Sequence, residues 1–211
     1  NALRLVRGAF FMRKAFRAML DMPRCNRPSE RMSITRPLMA FLALFIPVLA
    51  GAQDTVRVDD GRLRITYGAF CQQLSVGEVA APDTLANKVD LLPSTPDIRW
   101  PGTRIPAAPG ISFGVRSETP DGAIYDPVVI QVSHPPLGGT GPDRQSYLTR
   151  LGGDGPSINA YSFDVPEELV TGQWTLRATY SGRLLYEVTF DVVPAQTMPQ
   201  VANACDQYLG S

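Results

Sequence analysis

Beyond residue 61, apolar and polar residues alternate with a period of two, the spacing of strands that bury one face. Arg62-Leu-Arg-Ile-Thr-Tyr67 alternates charged or polar with apolar positions. Ile111, Phe113 and Val115 interleave with Ser112, Gly114 and Arg116, and Val128, Ile130 and Val132 with Val129, Gln131 and Ser133. Tyr161 and Phe163 repeat the pattern against Ser162 and Asp164. The clearest element is a hairpin over residues 173–192. One arm carries Trp174, Leu176, Ala178 and Tyr180 on one face, and the other carries Leu184, Tyr186, Val188, Phe190 and Val192. Ser181-Gly182 between them supplies the positive φ of a tight turn. These faces need a second sheet to cover them, which puts the hairpin at the centre of the core.

Breakers divide the rest. Pro82, Pro93, Pro96, Pro101, Pro106 and Pro109 fall in residues 82–110, which predicts an irregular surface arm with one edge strand near Ile98–Ile105. Residues 135–157, rich in Gly and Pro, predict a second long loop with a short strand at Tyr147–Leu151. After Phe163, a short acidic turn and Gly172 carry the chain to the opposite sheet, as in many immunoglobulin-like sandwiches. The tail from Pro194 to Ser211 lacks strand alternation. The expected fold is an all-β, immunoglobulin-like antiparallel β-sandwich with a Pro-rich arm and an extended C-terminal tail, one domain over 53–211 with its core about 62–193.

The N-terminal part has a different pattern. Met32-Ser-Ile-Thr-Arg-Pro with Arg36, the apolar run Leu38–Leu49 and the small residues Ala50-Gly51-Ala52 together read as a secretory signal peptide over 32–52. Cleavage is expected between Ala52 and Gln53. The apolar run, interrupted by Pro47, is shorter than the roughly 20 residues of a spanning helix. Gln53 stands where a lipoprotein needs Cys, so no stable membrane anchor is expected after cleavage. Residues 1–31 are expected to be an untranslated or mis-assigned upstream extension, the alternative being a basic targeting segment. The location predicted is periplasmic or secreted.

Removing residues 1–52 changes the charge. Lys and Arg fall from 20 to 11, and Asp and Glu from 20 to 18, a net of −7 where the whole chain has 0. An acidic chain of this kind is unsuited to a phosphate backbone, so nucleic acid is excluded as a partner. Two cysteines remain, Cys71 and Cys205, and in an oxidising compartment an isolated pair is expected to form a disulfide.

The order of segments carries a resemblance. Tyr67-Gly-Ala-Phe70, Pro109-Gly-Ile-Ser-Phe-Gly-Val115, Val132-Ser-His-Pro-Pro-Leu137, Tyr161-Ser-Phe-Asp164 and Leu169-Val-Thr-Gly-Gln-Trp-Thr175 together resemble the bacterial family catalogued as domain of unknown function 3859, over roughly residues 62–193. The resemblance implies a β-sandwich in exported proteins, with no assigned activity and no catalytic residues to transfer.

Candidate chemistry is sparse. His134 is the single histidine; as a general base beside a loop aspartate it would make the protein a cell-envelope hydrolase, whereas at a strand end before Pro135 and Pro136 it would simply pack. No nucleophile elbow is expected, because the Gly-x-Ser-x-Gly spacing of Gly110-Ile-Ser-Phe-Gly114 falls within the alternating strand pattern of Ile111, Phe113 and Val115, and one His with two bonded Cys cannot complete a zinc site. Asp121, Asp126, Asp143 and Asp154 lie in predicted loops, where they either gather around calcium or form turns. Arg144 and Arg150 offer positive charge to an anion, and Trp100 offers either a stacking face or a clasp for the arm. No cofactor is expected. The reading these residues support is a non-catalytic binding or structural module with an unknown protein or envelope component as partner. A calcium-stabilised interaction domain and the His134 hydrolase are the alternatives.

Overall fold

The computed structural model describes residues 55–205; the expected signal peptide over 32–52, the expected upstream extension over 1–31 and the expected cleavage point between Ala52 and Gln53 lie outside them. In chain order the strands are β1 (Val56–Val58), β2 (Arg64–Cys71), β3 (Gly77–Ala80), β4 (Lys88–Leu91), β5 (Trp100–Pro101) and β6 (Arg104–Ala107). Then follow β7 (Ile111–Glu118), β8 (Ile124–Ser133), β9 (Arg144–Gly152), β10 (Ser157–Ser162), β11 (Gly172–Tyr180) and β12 (Arg183–Pro194), with a single helical turn α1 (Pro199–Ala202).

The strands form two facing sheets and a separate hairpin. The first sheet runs β1-β12-β11-β8-β9, with β6 parallel to the same edge of β12 that takes β1. The second runs β10-β7-β2-β5, and β3 pairs only with β4. The result is an all-β, immunoglobulin-like antiparallel sandwich, as the alternation predicts. The chain passes between the two sheets at β1–β2, β5–β6, β6–β7, β7–β8, β9–β10 and β10–β11, and the acidic turn after Phe163 makes the last of these crossings. Ser181 (φ 47°) and Gly182 (φ 75°) close the β11–β12 hairpin with the two positive φ values of its turn type. Its faces meet the other sheet, with Trp174, Leu176, Ala178, Tyr186, Val188 and Phe190 all fully buried, but a register shift after Ala178 puts Leu185 in the core and leaves the expected Leu184 and Tyr180 only partly buried. Phe113 of the opposing sheet lies at the centre, 5.1 Å from Phe190 and 5.7 Å from Trp174, both edge-on.

Three expectations need correction. The Pro-rich arm of residues 82–110 holds three short strands, in different sheets, where one edge strand is expected: Lys88–Leu91 pairs with β3, Trp100–Pro101 pairs with β2, and Arg104–Ala107 runs parallel to β12. Both prolines sit on sheet edges, where a missing N–H breaks no central ladder. The short strand expected at Tyr147–Leu151 is nine residues long, because β9 follows β8 from Ser133↔Arg144 to Ile124↔Gly152. Its inward positions Gln145, Tyr147 and Thr149 oppose Val132, Ile130 and Val128. Polar inward residues erase the apolar alternation that would have marked the strand. The described part of the tail, residues 195–205, is not extended: Pro199 starts the turn α1, Ala202 is buried, and Cys205 returns to bond Cys71. Among the described residues no helix is long and apolar enough to cross a membrane.

Candidate functional site

Residues 72–96 leave the end of β2, form the β3–β4 hairpin and pass beside β10, the last strand of the second sheet. They are tied down at two places. At one, Ser146 N–H donates to the Asp83 carbonyl (3.1 Å) and Leu85 N–H to Gln145 Oε1 (2.8 Å). At the other, the Thr95 hydroxyl donates to the Pro156 carbonyl (3.0 Å). Between these ties the arm does not pair with β10. A cleft of about 420 Å³ separates them, within the usual span of ligand pockets. Five consecutive β10 residues, Ile158 to Ser162, line one wall, residues of Leu85–Thr95 line the other, and Phe70 and Tyr147 contribute apolar surface.

Polar groups converge on this cleft. Tyr147 on β9 donates its hydroxyl to Asn159 Oδ1 on β10 (3.2 Å), joining the two sheet edges. Tyr161 donates to Glu168 Oε1 (2.8 Å), while Glu168 Oε2 accepts from Asp164 N–H (2.8 Å). Ser112 and Ser162 share a hydrogen bond of 2.7 Å. Burial raises the Tyr147 and Tyr161 phenols above their usual range, and for Tyr161 the bond to Glu168 adds to the effect. Asp164, exposed at the rim, has its carboxyl pKa raised by partial enclosure and then by the Glu168 charge beside it. Lys88 on the opposite rim is already engaged by Glu78 (2.7 Å) and Asp90 (3.2 Å). No Lys or Arg pairs with Asp164 or Glu168 among the described residues.

The residues singled out from sequence lie elsewhere or play structural parts. His134 is 5% exposed and stacks on Trp174 at 4.6 Å. Because Gln145 Oε1 accepts from Leu85 N–H, its amide nitrogen faces His134 Nε2 at 3.0 Å as the donor. His134 Nδ1 then donates to the Pro135 carbonyl (2.9 Å). Both ring nitrogens are committed within the fold and neither meets a carboxylate, so the arrangement proposed for a hydrolase is not assembled. Asp121, Asp126, Asp143 and Asp154 are all exposed and do not gather; the described residues contain no group of three or more His, Cys, Asp or Glu fit to hold a metal. Asp121 instead accepts from Ala123 N–H (3.0 Å) in an ordinary turn. Trp100 is half-buried against the core, with the Arg99 guanidinium 4.7 Å over its ring, the clasp alternative. Arg144 and Arg150 are exposed on β9. Cys71 and Cys205 are bonded.

A wider surface groove, about 670 Å³, lies beside Tyr67, Ile98 and Pro101. Its one cation, Arg116, already pairs with Glu118 (2.6 Å) and lies 3.9 Å from Asp97, so the groove offers little uncommitted polarity. The cleft beside β10 is the better candidate. Sequence reading missed its members, although Asn159, an inward polar residue in register with Tyr161 and Phe163, was a visible irregularity.

A family model described as "Domain of unknown function (DUF3859)" matches residues 64–192, a stretch that contains the whole cleft. Among solved structures, an immunoglobulin-like protein from Pseudomonas aeruginosa is 26% identical, with a TM-score of 0.45; the match covers 68% of this chain and 100% of that one. No curated protein matches the chain.

Proposed function

The chain belongs to the DUF3859 family, and since that description carries no activity, we propose a function from the site itself: a non-catalytic binding module of the periplasm or extracellular space. Its ligand occupies the cleft between β10 and the arm. One observation carries this reading. The cleft combines apolar walls with hydroxyl, amide and carboxylate groups fixed by bonds between neighbouring strands, the composition of a pre-formed recognition site. The Cys71–Cys205 bond and the signal-like segment over 32–52 support placement outside the cytoplasm. Engagement of both His134 nitrogens argues against the hydrolase alternative.

The test is site-specific crosslinking in living cells. A photoreactive residue at Thr149, on the cleft wall, is expected to capture an envelope component, while one at Thr189 on the opposite side of the first sheet is not. Equal capture from both positions, or capture only in the cytoplasmic fraction, would overturn the reading.

A further inference from the structure

The free edge of β10 points to the class of ligand. Phe163 N–H donates to the Ile111 carbonyl of the neighbouring segment (3.3 Å). Main-chain groups of successive residues on a strand face opposite edges, so Tyr161 and Asn159 also turn theirs towards β7. Ile158, Ala160 and Ser162 therefore aim N–H and C=O at the other edge. That edge has no strand partner among the described residues, because β10 ends its sheet. The same residues line the cleft. Proteins do cover exposed edges with loops, but a cover would lie against the edge. Here the arm is held at Gln145 and Pro156 and leaves open space alongside the strand.

We infer that the cleft takes an extended peptide segment of a partner protein, which adds as a strand to β10 and places a Lys or Arg side chain against Asp164 and Glu168. Main-chain hydrogen bonds to Ile158, Ala160 and Ser162 supply the binding common to all such segments, and side chains supply selectivity. The charge preference follows from the rim. Two adjacent carboxylates stand at the Ser162 end without a cation, and the nearest lysine, Lys88, is taken by Glu78 and Asp90. The inference rests on reading the cleft as a binding site and adds the ligand's form and charge.

The test uses the exported, disulfide-intact protein and a positional library of acetylated, amidated heptapeptides of alternating valine and threonine with one variable position. Lys and Arg members are expected to bind at least about tenfold tighter than their Glu counterparts, a preference that Asp164→Asn with Glu168→Gln removes. Bound peptide should slow amide exchange at Ile158, Ala160 and Ser162 by about tenfold or more. Asn159 and Tyr161, already bonded to β7, should change little. Ala160→Pro removes one outward donor while sparing the bonds to β7, and should weaken binding severalfold. If that variant does not fold, N-methylation of alternate peptide bonds in the ligand interrogates the same hydrogen bonds. Failure of every library member to bind, binding without protection of the outward amides, or indifference to N-methylation would each overturn strand addition. So would protection that appears without peptide and grows with a doubled native mass, since a second copy would then own the edge. If Thr149 crosslinks a partner while strand addition fails, the binding function stands and only the ligand class falls; if both fail, both fall.

Discussion

Replacing Gly114 with Ala tests the packing that fixes the β10 edge. Gly114 sits between Gly68 of β2 and Ala160 of β10. A Cβ added there would lie 2.2 Å from the Asn159 carbonyl oxygen and 2.6 Å from the Ala160 Cα. Two effects oppose each other. Ala in place of Gly restricts the unfolded chain and stabilises by about 0.5–1 kcal/mol where the native conformation permits it. Against this, the obstructing atoms are main chain, so no side-chain rotation relieves them. The strands must separate, and overpacking of this kind costs about 1–3 kcal/mol. The clash should prevail, for a net loss of about 1–2 kcal/mol. Separation would also stretch the Tyr147–Asn159 bond, already 3.2 Å long. Urea unfolding followed by fluorescence of fully buried Trp174 measures the loss as a lower midpoint at unchanged slope. Gly155→Ala is the control, since nothing lies within 4 Å of its added Cβ, and it should be neutral or mildly stabilising. An unchanged or raised midpoint for Gly114→Ala would refute the close β7–β10 packing described above.

Replacing both Cys71 and Cys205 with Ala opens a covalent link between residues 134 apart, for which the chain-entropy model gives at most about 5 kcal/mol; a fall in unfolding free energy below about 1 kcal/mol would refute a substantial role for the bond. His134→Ala removes the stack on Trp174 and leaves the buried Gln145 amide without its partner, so a loss of about 2–3 kcal/mol in urea unfolding is expected, and a neutral effect would contradict the packing role. Asp164 has a folded-state pKa raised above the unfolded value, so the folded state holds the proton more tightly and stability declines as pH rises through that range. Asp164→Asn should therefore melt higher than the parent at pH 7, with the gap closing below about pH 4; a gap that widens in acid would reverse the sign.

Local chemistry made some of this molecule legible from its residues alone. The β11–β12 hairpin showed itself because Trp174 to Ala178 and Tyr186 to Val192 alternate on one face and Ser181-Gly182 suits the turn. The strands at Ile111 and Val128 were legible for the same reason, each burying one apolar face. Such signals reside in neighbours along the chain, and burial of one strand face imprints them directly on the sequence. The cleft carries no such imprint. Tyr147, Asn159, Asp164 and Glu168 converge with the arm only through the β8–β9 register, the crossing from β9 to β10 and the anchoring of residues 83–95 across the sheet edge. Polar residues on the inward side of β9 weakened the very alternation that identifies a strand, and prolines concealed β5 and β6 in the arm. Sequence by itself determined an all-β sandwich and the positions of its central strands. The tertiary structure decided which edge stays unpaired and what lines it, because those properties belong to contacts between segments remote in the chain.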